Sequence, residues 1–492
     1  MPRDDAAAES VISAPDASAP QGETGSKPET NGEAAASADM AAAVDAPAAP
    51  GNRSEPAGRK KGPRTFTHDL ISVVSSRIIG RSCQFLASVA AARLIGPGGR
   101  GLIAALAVAP DLAVSFSQLG MRQSVAYFIG NKTYDVAEIV PTLIRLVFFA
   151  NITAVGASLT YYYFAGLLNQ SWVLIVLALA PIPFFLMSNY TAGVLLGKQM
   201  IIRFNRVDWV PMALNLILVI ALGWLGGRGI IGVMMATVAA AMLGCSYALY
   251  LLRTLTPLRF GFDREIAARI TRLGAVYGLA MFMLLLNYRI PILLLHNLST
   301  LREVGIYAVG QTLAQIVWEM PAMLSNLVLS RGVNTQDSAG FGDKVVVLAR
   351  LVVFAGAGAA LGCMIVAPYV IPLIYGAKFA DSATVLSILL PGTVAFMAFK
   401  ILQMDIMRRG HPWVTVPVVV PCMAANAGFG LLVVPEYGAA GAATLTSASY
   451  VLATAVYILV YARVTKRSVS SIVLYRRSDF SELLRRLRRV RV

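Results

Sequence analysis

Charged and amide side chains recur at helical spacing inside an apolar stretch of this sequence. In residues 70–95, Arg77, Arg81, Gln84 and Ser88 follow one another at steps of four, three and four. Such spacing places them on one face of a helix. The guanidinium group of arginine is a planar fork that donates paired hydrogen bonds to phosphate or carboxylate. The stripe therefore predicts a surface that binds an anion.

Three further apolar stretches carry polar stripes of the same kind. Residues 101–125 hold Asp111, Ser115, Gln118 and Arg122; residues 303–330 hold Gln311, Gln315, Glu319 and Asn326; residues 266–296 hold Asn287, Arg289 and His296. Polar groups in apolar surroundings are costly unless they face water or a partner. We therefore expect these four stretches to surround one hydrophilic cavity.

The stripes supply the candidate binding residues. The candidate substrate contacts are Arg77, Arg81, Arg93, Arg289, Gln84, Gln118 and Gln315. Because arginines outnumber carboxylates, the cavity is predicted to be net positive and to favour an anionic substrate. Asp111 and Glu319 are candidates for carrying a coupling proton or cation. The alternative is structural ion pairing, such as Arg81 with Asp111, or snorkelling to an interface, which suits Arg77 and Arg93 near the span ends.

Composition defines the elements that position these residues. Of the 492 residues, 57% are hydrophobic and 14% charged, and mean hydropathy is +0.66, which is typical of a membrane protein. The four cysteines lie in separate apolar stretches, so neither disulfides nor a metal site is expected. No phosphate-binding glycine loop, nucleophile elbow or catalytic carboxylate pair occurs. We expect no enzyme activity, cofactor, metal or nucleic-acid partner.

A transmembrane helix needs about 20 apolar residues, and the sequence offers twelve such stretches. They are residues 70–95, 101–125, 136–163, 171–197, 204–225, 229–253, 266–296, 303–330, 344–374, 381–408, 412–434 and 438–463. Lys and Arg concentrate in alternate loops, which predicts cytoplasmic N- and C-termini. Under this assignment the outer loops hold only Arg100, Arg228, Arg302 and Lys378.

The predicted domain organisation has five parts. It comprises a disordered, cytoplasmic Ala/Pro/Ser-rich tail (1–65), an N-terminal six-helix bundle (66–254), a cytoplasmic linker (255–265), a C-terminal six-helix bundle (266–465) and a basic tail (466–492). The N-terminal tail lacks the apolar residues that a folded core requires. In the basic tail, apolar residues from Phe480 to Val490 alternate with arginines, which favours a helix on anionic lipid over a frayed, solvated end.

Two short matches suggest an internal duplication. The segment around Gly101 and Ala104 aligns with Gly305 and Ala308 at an offset of 204, and Gly229 aligns with Gly438 at an offset of 209. An even number of spans in each half keeps the halves in the same orientation. The fold class is therefore predicted to be an all-α membrane protein with about twelve transmembrane helices, in two parallel six-helix bundles around a central cavity.

Five short motifs occur along the apolar part of the sequence. They are Arg93-Leu-Ile-Gly-Pro97 followed by Gly101, Gln118-Leu-Gly120, Val304-Gly-Ile-Tyr307, Pro372-Leu-Ile-Tyr-Gly-Ala-Lys-Phe379 and Pro435-Glu-Tyr-Gly-Ala-Ala-Gly-Ala-Ala443. Together they resemble the polysaccharide transport (oligosaccharide flippase) family of the multidrug/oligosaccharidyl-lipid/polysaccharide exporter superfamily. They occur in the family's order across residues 66–465. The long tails depart from the family's compact ends.

The resemblance implies a transporter in the bacterial inner membrane. It would flip an undecaprenyl-pyrophosphate-linked oligosaccharide to the outer leaflet for polysaccharide biosynthesis, with spans one, two, seven and eight lining the cavity. Membrane lipids, a polysaccharide polymerase and export machinery are the expected partners. Two alternatives stay open. A drug or small-molecule antiporter would be expected to use carboxylates and aromatics, and a membrane glycosyl polymerase or ligase would need a large outer loop.

Overall fold

The computed structural model describes residues 63–118, 120–332, 338–409 and 412–474, and these are almost entirely helical. The helices are α1 (Pro63–Ser117), α2 (Met121–Gly130), α3 (Val136–Phe164), α4 (Trp172–Leu179), α5 (Pro181–Gly197), α6 (Ile201–Leu218), α7 (Gly229–Arg253), α8 (Arg264–Leu298), α9 (Leu301–Gly332), α10 (Ser338–Tyr375), α11 (Asp381–Arg408), α12 (Val416–Thr465) and α13 (Val469–Val473). The tail predictions for residues 1–62 and 475–492 lie outside the described residues.

Within the described part of the chain, nine helical segments are long and apolar enough to cross a membrane. Two of them are 56 and 50 residues long, more than twice the ~20 residues that one crossing requires. Both contain a sharp break at a glycine: Gly96 in α1 has φ 67° and Gly438 in α12 has φ 52°. Glycine reaches positive φ without the steric cost of a side chain. We call residues 63–95 and 97–117 α1a and α1b.

The helices form several apolar cores. In the first half, Ile139, Leu143, Leu186 and Val194 belong to a core that joins α3 to α5. In the second half, two larger cores join α9, α10, α11 and α12. The long helices α1 and α8 contact both sets. They therefore connect the two halves of the sequence and border the space between them.

A close backbone contact joins α1b to α9. A Cβ atom added to Gly101 would overlap the carbonyl oxygen of Leu301, and one added to Gly305 would overlap that of Pro97. The contact is reciprocal, because 301 − 97 and 305 − 101 both equal 204, the offset of the sequence match. Reciprocal contacts of equivalent residues are typical of a two-fold axis. We call these four residues the glycine crossing.

A partly buried ion pair lies at the end of α11. Arg409 donates from Nε to Asp405 Oδ2 at 2.9 Å, one helical turn away. The fully buried Tyr461 hydroxyl donates to the same oxygen at 2.8 Å. Because Asp405 is itself inaccessible to solvent, these donors compensate the lost hydration of its carboxylate.

The Tyr461→Phe variant is therefore expected to be less stable than the wild type. A hydrogen bond to a charged group contributes about 1.5–3 kcal/mol, and the loss should lower the unfolding temperature measured in detergent. Tyr437→Phe on the same helix is the matched control, because Tyr437 is 65% exposed. Equal unfolding temperatures for the two variants would contradict the role assigned to the Tyr461 hydroxyl.

Candidate functional site

A cavity of about 510 Å³ lies between α1a, α1b, α8 and α9. They contain residues of the four stretches that carry polar stripes in the sequence. The polar residues lining the cavity are Arg77, Arg81, Ser82, Gln84, Ser88, Arg100, Arg289, Gln311, Thr312 and Gln315. Four of them are arginines, and no carboxylate is present among the described residues of the lining. We call this space the cationic cavity.

Five of the predicted contact residues meet in this cavity. Arg77, Arg81 and Gln84 come from α1a, Arg289 from α8 and Gln315 from α9. The Arg81 Nη1 donates to Gln84 Oε1 at 2.8 Å, as expected for residues one helical turn apart. The amide thus orients the guanidinium group on the exposed face of α1a.

The partner of Asp111 is Arg289 rather than Arg81. Arg289 Nη2 donates to Asp111 Oδ2 and forms an ion pair between α8 and α1b. Both side chains are partly exposed, at 27% and 38% respectively. The alternative of an Arg81–Asp111 pair is therefore wrong, because the spacing of a stripe does not define which neighbouring helix faces it.

Three predicted residues lie elsewhere or remain undescribed. Arg93 donates from Nε to the Ile374 carbonyl at 2.6 Å and also bonds the Leu373 carbonyl. These carbonyls lie in the last turn of α10, where helices leave acceptors unpaired. Gln118 follows α1b and is absent from the described lining of the cavity. Glu319 lies on α9, but its side chain is outside the described part of the structure.

Arg100, which the sequence placed in an outer loop, is a further candidate site residue. The structure places it on α1b in the cavity wall, where its Nη2 donates to Ser88 Oγ at 3.2 Å. Its Nε is buried without a hydrogen-bond partner in the described structure. The signal was available, because Arg100, Ala104, Ala107 and Asp111 continue one helical stripe. The Gly-Pro-Gly-Gly sequence before Arg100 instead suggested a loop.

A second, mostly apolar pocket of about 430 Å³ lies beside the first. It is enclosed by α1b, α4, α5 and α7, and its wall shares Ile103 and Ala107 with the cationic cavity. Asp111 is the one carboxylate among its described lining residues. The Asp111–Arg289 pair therefore lies on the border between a cationic and an apolar space.

The cationic cavity is open at one end and closed at the other. Arg77, Ile78 and Ile316 at one end are exposed, whereas Leu102 and Val304 beside the glycine crossing are buried. Arg100 lies at the closed end, next to Gly101. The described residues contain no group of three or more His, Cys, Asp or Glu side chains placed to hold a metal ion.

Solved structures define the class of fold. A structure described as the lipid II flippase MurJ, in an inward closed conformation, aligns with a TM-score of 0.66 at 13% identity, over 82% of this chain and 89% of that one. An inward-facing multidrug resistance MATE family transporter of the MOP superfamily aligns with a TM-score of 0.64 at 15% identity, over 80% of this chain and 98% of that one. A Pyrococcus furiosus MOP superfamily transporter, described as having reversed polarity in its binding pocket, aligns with a TM-score of 0.58 at 16% identity. The alignment covers 81% of this chain and 95% of that one. The chain has the fold that these proteins share.

The sequence also matches a described family. Residues 90–384 match the family described as polysaccharide biosynthesis protein, and the chain belongs to that family. This match and the shared fold confirm the resemblance to the polysaccharide transport branch of the MOP superfamily. No protein with a curated description matches the sequence.

Proposed function

We propose that this protein flips a lipid-linked (undecaprenyl-pyrophosphate) oligosaccharide from the inner to the outer leaflet by alternating access. The observation that carries the proposal is the cationic cavity, in which arginines from both halves face one space. A diphosphate offers several acceptor oxygens to guanidinium groups, which donate in pairs. A cavity that selects cationic drugs would favour carboxylates and aromatic rings instead.

Three of the four arginines differ in the groups that already contact their guanidinium groups. Arg289 is paired with Asp111, and Arg81 contacts Gln84. Arg100 bonds only the neutral Ser88 hydroxyl among the described residues, and its Nε is unbonded. A cation without a counterion is costly at membrane depth. An anion that enters the cavity would offset this cost most strongly at Arg100.

The membrane arrangement we propose has twelve crossings. The nine apolar segments supply nine, the breaks at Gly96 and Gly438 divide two of these into pairs, and the more polar α9 adds the last. The bundles would span residues 66–254 and 266–465, joined by the 255–265 linker, and the reciprocal glycine crossing supports their two-fold relation. Both termini and both tails would be cytoplasmic, in a bacterial inner membrane.

This arrangement makes the described conformation open to the cytoplasm. Arg77, at the open end, would meet the diphosphate first, and Arg100 would hold it at the closed end. Asp111 is the proposed coupling group. An anion that binds Arg289 would separate Arg289 from Asp111, and the unpaired Asp111 carboxylate would then favour uptake of a proton or cation. Glu319 remains a second candidate. A polysaccharide polymerase and export machinery are the proposed partners on the outer side.

The direct test is reconstitution. The full chain in proteoliposomes should move an undecaprenyl-pyrophosphate-linked oligosaccharide between leaflets, measured as the fraction accessible to an impermeant glycosidase. Protein-free liposomes provide the background rate. Movement of a cationic dye without movement of the lipid-linked sugar would instead indicate a drug antiporter.

The proposed topology has its own test in two matched substitutions. Asn131 and Asn169 are exposed residues at opposite ends of α3. In a chain without the four native cysteines, Asn169→Cys should react with an impermeant thiol reagent on intact cells. Asn131→Cys should react only after permeabilisation. The opposite pattern would reverse the orientation and the direction of export.

A further inference from the structure

The glycine crossing closes one end of the cationic cavity by direct contact between two backbones. A Cβ atom on Gly101 would overlap the Leu301 carbonyl oxygen and lie 3.0 Å from the Gly305 nitrogen. The reciprocal atom on Gly305 would overlap the Pro97 carbonyl oxygen and lie 3.0 Å from the Gly101 nitrogen. No other residue fits at either position while α1b and α9 remain this close.

The surroundings of the crossing exclude water. Leu102, Ala105, Val304 and Ile306, next to the two glycines, are each at most 8% exposed. Arg100, immediately before Gly101, still faces the cavity. The crossing is therefore the boundary between the cavity and the space beyond Gly96.

We propose that the glycine crossing is the outer gate of the transporter, and that both glycines are required for the state that is closed to the outside. The inference rests on the alternating access proposed above. For the cavity to open outward, α1b and α9 must separate at this contact. Small residues allow close approach of membrane helices through backbone contacts. Separation then requires no interlocked side chains to move, which suits a contact that forms and breaks in every cycle.

Substitution of either glycine by alanine should bias the protein toward the outward-open state. The reporter is Thr312→Cys, a cavity-lining position on α9, in a chain without native cysteines. In vesicles of known orientation, Gly101→Ala and Gly305→Ala should each raise labelling of this introduced thiol from the outside by about tenfold, the change produced by a bias of ~1.4 kcal/mol. Labelling from the cytoplasmic side should fall. Sidedness of labelling does not depend on which molecule is transported, so its outcome is separate from that of the flipping assay.

A matched control and a double variant distinguish a gate from general damage. Gly358→Ala makes the same chemical change in α10, where an added Cβ meets nothing within 4 Å, and should leave sidedness unchanged. The Gly101→Ala/Gly305→Ala double variant should shift sidedness much less than the product of the single effects, because the first substitution already breaks the shared contact. Wild-type sidedness in both folded single variants would overturn the proposal.

A cross-link tests the gate with both glycines in place, in case the alanine variants do not fold. Leu102 and Leu301 lie in one apolar cluster at the crossing. Cysteines at both positions, joined through two disulfides by a short bis-methanethiosulfonate reagent, should lock the gate and stop transport in the reconstituted assay. A reductant that cleaves the reagent should restore it. Transport at the wild-type rate by fully cross-linked protein would show that the crossing need not open.

Discussion

Replacing Arg100 by glutamine is expected to reduce flipping by roughly thirtyfold or more, since losing one partner of a charged, hydrogen-bonded contact costs about 2–5 kcal/mol. Arg100 lies at the closed end of the cationic cavity, and its Nε has no partner in the described structure. The proposed diphosphate would supply that partner. Arg100→Lys should retain part of the rate, because lysine keeps the charge but loses the planar fork.

Substitutions of two other arginines are the controls for the Arg100 variant. Arg77→Gln should have a smaller effect, because Arg77 is exposed at the open end of the cavity. Arg145→Gln on α3 should have none, because Arg145 is exposed and lies outside the described lining of the cavity. Flipping is measured at matched protein levels and unfolding temperatures. An Arg100→Gln variant that flips at the wild-type rate would remove Arg100 from the binding site.

The sequence was sufficient to predict the helices that surround the cavity. Arg77, Arg81 and Gln84 share one face of a helix by spacing alone, and a polar face of a membrane helix has few places to lie other than a cavity. The same reasoning reached Arg289 and Gln315. Each of these five residues lies in the lining that the structure describes. The spacing of polar residues within one helix identifies the face that lines the cavity, and it requires no knowledge of the neighbouring helices.

What the sequence did not predict depends on contacts between helices. Arg93 has the type and position of a cavity residue, yet its guanidinium group reaches the carbonyls at the end of α10, 280 and 281 residues away. Arg100 was missed because Gly96 breaks α1 without ending it, so that the next helix begins before Arg100 rather than after it. Both residues lie near helix ends, where local signals for a loop and for a kink are the same.

The second large effect is expected at the ion pair between Asp111 and Arg289. Asp111 and Arg289 join α1b to α8, so either single substitution leaves one charge unpaired beside the membrane core. Asp111→Asn and Arg289→Gln should therefore each destabilise the protein by about 1 kcal/mol, the low end of the cost of an unsatisfied polar group, because both side chains are partly exposed. The double variant should recover most of that stability, because neither charge remains. Unfolding temperatures in detergent report this cycle.

Flipping should not follow stability in the same double variant. If Arg289 also binds the diphosphate, Asp111→Asn/Arg289→Gln should stay as inactive as Arg289→Gln alone, roughly thirtyfold or more below wild type by the same cost of about 2–5 kcal/mol for a lost charged contact. The unfolding temperature and the flipping rate would then respond differently. Stability depends on whether Asp111 and Arg289 are both charged or both neutral, whereas binding depends on the Arg289 guanidinium group itself. A double variant that recovers both stability and flipping would make Arg289 a structural partner of Asp111 and leave the diphosphate to Arg81 and Arg100.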